Sequence, residues 1–437
     1  MGSEMKAVKG WQTKRLDEIG TIVSGATPYT SNRSFWDGEI VWVTPNDLSK
    51  LKTPYLCDSG KMITERGLNS CSAKLSPAGS LVISSRAPIG YVALPAVPFC
   101  TNQGCKTIKL KSGFHPEFAY YNVLFNIDKL KNLGEGTTFA EISKAALSTI
   151  ELDFPTSLSE QAKIAEILST VDRAIAQTEA LIVKQQRIKT GLMQDILTRG
   201  IDEHGNLRSE KTHKFRDSSL GRIPLEWKTV HLGNVSEISS GITLGKIYSG
   251  PETIELPYLR VANVQDGYLD LSFVNIIRIP KSNVEKYLLR VGDVLMNEGG
   301  DYDKLGRGSV WKGEIHNCLH QNHVFKVRPK SGILVSDYLA AVSSSPYGKA
   351  FFVLASKQST NLASINSTQL KSFPVPLPAY SEQLKIGDVL SREAEKHRVL
   401  LDRNNKLRFL KTALMQDLLT GRKRITTMRN GMEVASP

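Results

Sequence analysis

Two periods of apolar residues run through this chain, and each occurs twice. From Ser159 to Thr198, Ile164, Leu168, Val171, Ile175, Ile182, Leu192 and Ile196 keep a 4,3 spacing with gaps at Thr178, Gln185 and Lys189. That spacing draws one stripe along a helix. No proline interrupts the stretch, and its one glycine is Gly191. Ser159 is read as the N-cap, Glu160 suits the positive helix start, and Arg199–Gly200 makes the stop. The same phase returns at Ile386, Leu390, Leu400, Leu407, Leu414 and Leu418, interrupted by Glu393, His397, Asn404 and Lys411. Each stretch predicts a rod of roughly 60 Å. So narrow and interrupted a stripe does not stabilise a lone helix, so the two are expected to pair as a coiled coil.

The remaining sequence has a shorter period. IVWV (Ile40–Val43), SLVIS (Ser80–Ser84), YVAL (Tyr91–Leu94), DVLM (Asp293–Met296) and HVFKV (His323–Val327) predict strands, punctuated by SPAGS (Ser76–Ser80) and RAPIG (Arg86–Gly90). Helices are predicted at Pro116–Asn126 and Ser336–Ser345. The expected class is α+β: two globular domains of about 150 residues, ordinary domain size, separated by two long paired helices.

The helices are near copies. KTGLMQDILT (Lys189–Thr198) returns as KTALMQDLLT (Lys411–Thr420), and SEQAKI (Ser159–Ile164) as SEQLKI (Ser381–Ile386), both 222 residues on. Upstream the similarity thins. WQTKRLDEIGTIVSG (Trp11–Gly25) aligns with WKTVHLGNVSEISSG (Trp227–Gly241), FCTNQ (Phe99–Gln103) with NCLHQ (Asn317–Gln321), and GTTFAEIS (Gly136–Ser143) with STNLASIN (Ser359–Asn366). A period this long is not a solenoid's. It is a duplication of a globular domain followed by a helix. The boundaries are read as 1–158 and 225–380 for the globular domains, 159–199 and 381–421 for the helices, 200–224 for a linker and 422–437 for a basic tail.

Composition narrows the class. The net charge of +13 favours a polyanionic partner, most often nucleic acid. Apolar runs are too short to span a bilayer, and MGSEMKAVKG lacks an apolar signal core. Five cysteines without paired spacing fit a reducing compartment, so a cytoplasmic protein without disulfides is expected.

Together, the Trp-led openings (Trp11, Trp227), the Gln103 and Gln321 strands, the proline-led SEQ entries and the LMQD-[IL]-LT helix ends resemble the specificity subunit of Type I restriction–modification enzymes over essentially the whole chain. The resemblance implies two target-recognition domains, each reading half of a bipartite duplex DNA site, with the helices running antiparallel and setting the spacer. It implies two docked methyltransferase subunits and further translocase–nuclease (restriction) subunits. S-adenosylmethionine, ATP and Mg²⁺ would be used by those partners, with no cofactor, metal or catalysis in this chain. The alternative is a non-catalytic nucleic-acid-binding scaffold without bipartite specificity; a self-sufficient enzyme would need a catalytic motif that is not found.

Bidentate cations read guanine and amides read adenine. Loop residues Arg33, Asn46, Arg86 and Lys106 are therefore the DNA-contact candidates of the first domain, and Arg260, Asn263, Arg307 and Lys357 of the second. Asn46 and Asn263 align after a strand. Thr137, Thr138, Thr360 and Asn361 are expected to hold phosphates. Gln194, Asp195, Gln416 and Asp417, recurring on both helices, are expected to dock partners. Three motifs are decoys. HNCLHQNH (His316–His323) would align two histidines and a cysteine on one strand face, but only the cysteine recurs, at Cys100. GITLGK (Gly241–Lys246) is one residue short of a phosphate loop, and EWK (Glu226–Lys228) is better explained by Trp227 opening a strand.

Overall fold

A computed structural model describes residues 8–86, 88–133, 141–218, 221–300, 305–306, 308–358 and 363–425. The chain divides into two compact units that do not follow its order: 1–180 with 402–437, and 181–401. Each unit therefore contains one globular domain, the start of one long helix and the end of the other.

In the first unit the domain is closed by its own ends. Strand Trp11–Arg15 pairs antiparallel with Glu151–Pro155, Trp11 opposite Pro155. Strand Gly20–Ser24 then edges a five-stranded sheet whose further members are, in order, Cys105–Leu110, Leu81–Ser84, Val92–Pro95 and Tyr55–Leu56. A second sheet sets Trp36–Val43 between Met62–Ile63 and Phe99–Thr101, the latter pairing parallel.

The second unit repeats this wiring. Lys228–His231 pairs antiparallel with Pro374–Leu377. Ser236–Ser240, Val324–Pro329, Val294–Asn297 and Gly308–Val310 form a four-stranded sheet in that order. Thr253–Leu259 lies between Asn275–Pro280 and Leu319–His320, again parallel to the latter. The duplication legible in the helices thus extends through both domains.

Helices Leu158–Arg199 and Tyr380–Leu418 are the long elements. The first starts earlier than expected. Its cap is Ser157, not Ser159, because the Ser157 hydroxyl accepts the Glu160 backbone N–H at 3.3 Å. In the first unit Lys411 meets Asp172 at 2.6 Å, and Arg408 meets Glu179, so the helices run antiparallel there. In the second unit Gln185 bonds Glu393, and Glu382 accepts the Ile201 N–H at 2.9 Å, the same sense of pairing. The apolar stripe is buried only towards the ends. Ile164, Leu168 and Val171 are buried in the first unit, and Ile196, Ile386 and Leu390 in the second, whereas Ile175 and Ile182 are half-buried.

Each core is completed by helix ends. Ile164, Ala165 and Leu168 join Leu418 and Leu419 in the first, alongside Phe118 and Phe154. Met193, Ile196 and Leu197 join Ile386 and Leu390 in the second, alongside Trp227 and Phe373. The LMQD ends are thus core pieces on their apolar side.

Residues 200–224, expected as a linker, are folded onto the second unit. Ile201, Arg208 and Ile223 are buried, and Phe215–Ser218 pairs with Gly221–Pro224 as a hairpin. Composition misleads here because the buried positions are few and widely spaced among charged ones.

One glutamine per unit ties helix to domain. The Gln161 carbonyl accepts the His115 N–H at 2.8 Å, and its amide donates to Gly113 (3.0 Å) and Pro155 (2.9 Å). Gln383 accepts from Val335 and donates to Ile333 and Pro378, all at 3.0 Å. Both side chains are 1% exposed, so their loss strands buried backbone groups. Gln383→Leu, close in size, is expected to cost on the order of 3 kcal/mol, read as a lower urea midpoint at unchanged slope.

Candidate nucleic-acid interface and anchoring site

The loops that could reach DNA leave each domain at a glycine forced by close approach. A Cβ on Gly25 would lie 2.0 Å from the Asn102 carbonyl oxygen, and one on Gly241 1.9 Å from that of His320. Beyond Gly25 the chain exposes Tyr29 and Arg33, the latter opening a 3-10 turn capped by Asn32. Beyond Gly241 it exposes Lys246 and Ile247.

Around the turn at Asn102–Gly104 the first domain gathers several of its candidates. Asn102 Oδ1 accepts the Gly104 N–H at 3.0 Å, and the Gly104 carbonyl accepts the Ser85 N–H at 2.8 Å, next to Arg86. Pro45 packs close to Gly104, bringing the exposed Asn46 beside it on helix Pro45–Ser49. Gln103 is exposed at the tip, its carbonyl accepting the Thr27 hydroxyl. Arg86 is exposed but ion-paired to Glu141 at 2.8 Å. Lys106 departs from expectation: it is 5% exposed, with its ammonium 3.4 Å from the same carboxylate, so it is no surface phosphate clamp.

In the second domain Asn263 is corrected outright. It is buried, its carbonyl accepts the Arg260 N–H at 2.9 Å, and its amide donates to Asp270 (2.8 Å) and Phe273 (2.9 Å). That spends its hydrogen-bonding groups inside the fold. The residue doing the same work in the first domain is Asp47, whose carboxylate accepts the Thr44 N–H at 2.9 Å, not Asn46. Arg260 is half-buried with its guanidinium over the Phe273 ring at 5.6 Å. Lys357 is exposed on the short strand Lys357–Gln358. Thr137, Thr138, Arg307, Thr360 and Asn361 lie outside the described residues.

The alignment of FCTNQ with NCLHQ also slips by one. Val43 pairs with Thr101 and Leu259 with His320, so Thr101 corresponds to His320, Asn102 to Gln321 and Gln103 to Asn322. Cys100 therefore matches Leu319, and the cysteine does not recur. The shared-face premise of HNCLHQNH fails as well. His316 is exposed, Asn317 has φ +52°, and only Leu319–His320 is strand. Among the described residues no group of three or more His, Cys, Asp or Glu could hold a metal ion.

His320 is fully buried, with Nδ1 2.7 Å from the Val324 carbonyl oxygen. Burial pushes its imidazole down to about 4. The unfolded chain takes up a proton near pH 6.5 that the fold refuses, so stability should fall between about pH 6.5 and 4. Denaturant midpoints across that range are expected to lose part of this slope in His320→Thr, which installs the first domain's residue.

The helix starts carry what sequence reasoning missed. Glu160 receives the Arg424 guanidinium on both oxygens, at 2.7 and 2.8 Å. Glu382 receives Arg208, the Trp227 indole N–H at 3.3 Å and the Ile201 N–H. Both arginines follow a helix stop in the left-handed region, Gly421 at φ +69° and Gly200 at φ +67°. The exact repetition of Glu-Gln in both helix starts was the available signal. Near the other ends, Gln194 and Gln416 are exposed, whereas Asp195 pairs with Arg199 at 3.3 Å and Asp417 with Lys423 at 2.6 Å. Six residues before those glutamines, Ile188 and Leu410 are matched and exposed, at 45% and 46%.

The two arginine locks differ in burial. Both side chains of the Arg208–Glu382 pair are 9% exposed, whereas Arg424 is 38% exposed. Removing one partner of a buried pair costs about 3–5 kcal/mol. Arg208→Ala is expected to approach that loss in chemical denaturation, and Arg424→Ala to lose clearly less.

Comparison with known proteins agrees with this architecture. The family described as Type I restriction modification DNA specificity domain matches residues 8–185 and again 224–407. The MjaIX specificity subunit of Methanocaldococcus jannaschii is 31% identical over 309 residues, 70% of each chain. The EcoKI specificity subunit of Escherichia coli is 23% identical, over 87% of this chain and 81% of its own. In fold, the chain is similar to the crystal structure of a Type I restriction–modification S subunit from M. genitalium, with a TM-score of 0.59 at 16% identity, covering 96% of this chain and 98% of that one. With both halves matched and duplicated in sequence and topology alike, the chain belongs to the family of Type I restriction enzyme specificity subunits.

Proposed function

We propose that each recognition domain reads one half of a bipartite duplex DNA site, and that the paired helices fix the number of unspecified base pairs between the halves. The carrying observation is the contrast between anchors and tips. Gln161 and Gln383 make the same three hydrogen bonds in both units, while the loop tips differ almost everywhere, as Tyr29 and Arg33 do from Lys246 and Ile247. Shared anchoring with divergent tips suits two readers of different sequence on one frame. A net charge of +13 supports binding to the phosphate backbone.

In this reading the chain recognises and its partners react. Two methyltransferase subunits dock on the matched helix faces around Ile188–Gln194 and Leu410–Gln416, and restriction subunits join that assembly. S-adenosylmethionine, ATP and Mg²⁺ act in those subunits, and this chain contributes binding energy and geometry but no catalytic group. Among the described residues, no helix is long and apolar enough to cross a membrane.

Methylome sequencing of cells carrying the chain with its methyltransferase tests this. The expected motif has two defined blocks. Replacing residues 1–158 should change one block only, and a change in both would overturn the modular reading. Four residues inserted into each helix add about 6 Å and should lengthen the spacer by roughly two base pairs. A footprint without bipartite protection would favour an unspecific scaffold.

A further inference from the structure

We infer that Gln103 is a specificity-determining residue that reads an adenine in the half-site of the first domain, with Thr27 as the group that positions it. The inference rests on the DNA-reading function proposed above and assigns one contact within it.

Gln103 stands at the tip of the turn joining strands Phe99–Thr101 and Cys105–Leu110, and it is exposed. The turn beneath is rigid. Asn102 Oδ1 holds the Gly104 N–H, the Gly104 carbonyl holds the Ser85 N–H, and the Asn102 N–H donates to the Val43 carbonyl at 3.0 Å. Thr27 donates its hydroxyl to the Gln103 carbonyl oxygen from the loop that crosses at Gly25. The Ala26 N–H fixes that loop to the Thr101 carbonyl at 2.9 Å, and the Trp42 indole to the Ala26 carbonyl at 3.0 Å. The amide is thus oriented before any ligand arrives, and its second carbonyl lone pair and NH₂ group have no partner among the described residues.

One acceptor and one donor side by side is the pattern that pairs with adenine N6–H and N7 in the major groove. A glutamine free to rotate would lose rotamer entropy on binding, and the threonine removes part of that cost beforehand. The exposed Asn46 follows Pro45 beside the same turn, and Arg86, its guanidinium ion-paired to Glu141, adjoins it. The corresponding position of the second domain is Asn322, also an amide. Two domains whose tips otherwise diverge keep primary amides at the two adjoining positions, Asn102 with Gln321 and Gln103 with Asn322.

The test uses the purified complex of the full chain with its methyltransferase subunits, bound to duplexes in which each base pair of its site is changed in turn. Wild type defines a penalty at every position. In Gln103→Ala, one A·T position of one block should lose a penalty of roughly 5- to 150-fold, with the other block and the spacer unchanged. Thr27→Val should weaken discrimination at that same position by a smaller factor, and Gln103→Asn should restore little, its reach being one methylene shorter. Asn322→Ala should act in the other block. If Gln103→Ala forms the complex and every penalty stays at its wild-type value, the assignment is overturned. It is overturned equally if Gln103→Ala weakens all duplexes by one factor, which marks a phosphate contact. Should Gln103→Ala fail to assemble, Thr27→Val alone decides: unaltered penalties refute the inference. A wild-type profile without two blocks would instead refute the bipartite function, independently of Gln103.

Discussion

A buried primary amide at the second helical turn is the constraint on which the two units depend. Gln161 and Gln383 each satisfy one donor and two acceptors of the backbone at the point where the last domain strand becomes the long helix. A helix emerging from a sheet would otherwise be free to swing about its first residues. Binding it to the loop before helix Pro116–Phe125, or before helix Ser336–Ser344, sets its exit angle against the domain's own core. The adjacent glutamates complete the constraint by capturing an arginine that follows the opposite helix end. Rigid geometry is what a sequence reader requires, because hydrogen bonds to base edges discriminate only when donor and acceptor arrive in register.

Between the two cores the helices carry polar partners beside the half-buried Ile175 and Ile182. Asp172, Lys411, Gln185 and Glu393 are these partners, and burial holds the Lys189 ammonium below the usual lysine range. Such contacts add little net stability, but they penalise a shifted register in which charges would lose their partners. Stability thus comes from the two cores at the helix ends, and alignment from the middle.

The large features were legible because they rest on long patterns. A stripe sustained over forty-odd residues and a decapeptide repeated with two changes leave few alternatives, and both helices follow; their antiparallel sense comes from the family resemblance. Fine register was not legible. Asn263 resembles Asn46 by position after a strand, yet the cap geometry pairs it with Asp47, and FCTNQ aligns one residue away from NCLHQ. Short strands with few matching residues do not fix an alignment to better than one place, and one place reverses which face a side chain occupies. The burial of Arg208 was hidden for another reason. Its partner Glu382 is distant in sequence, and nothing local distinguishes a buried arginine from a solvated one.

The interleaving of helix ends with cores also orders the birth of the molecule on the ribosome. The second unit is continuous from 181 to 401, so all its pieces emerge together. The first is not: its core needs Leu418 and Leu419, and its lock needs Arg424. The domain synthesised first is therefore the last to close, and its core around Ile164 and Leu168 stays incomplete until Leu418 and Leu419 have been made. Contacts spanning such a separation fold slowly and expose apolar surface meanwhile, which leaves the nascent first domain as the stage most in need of chaperone protection.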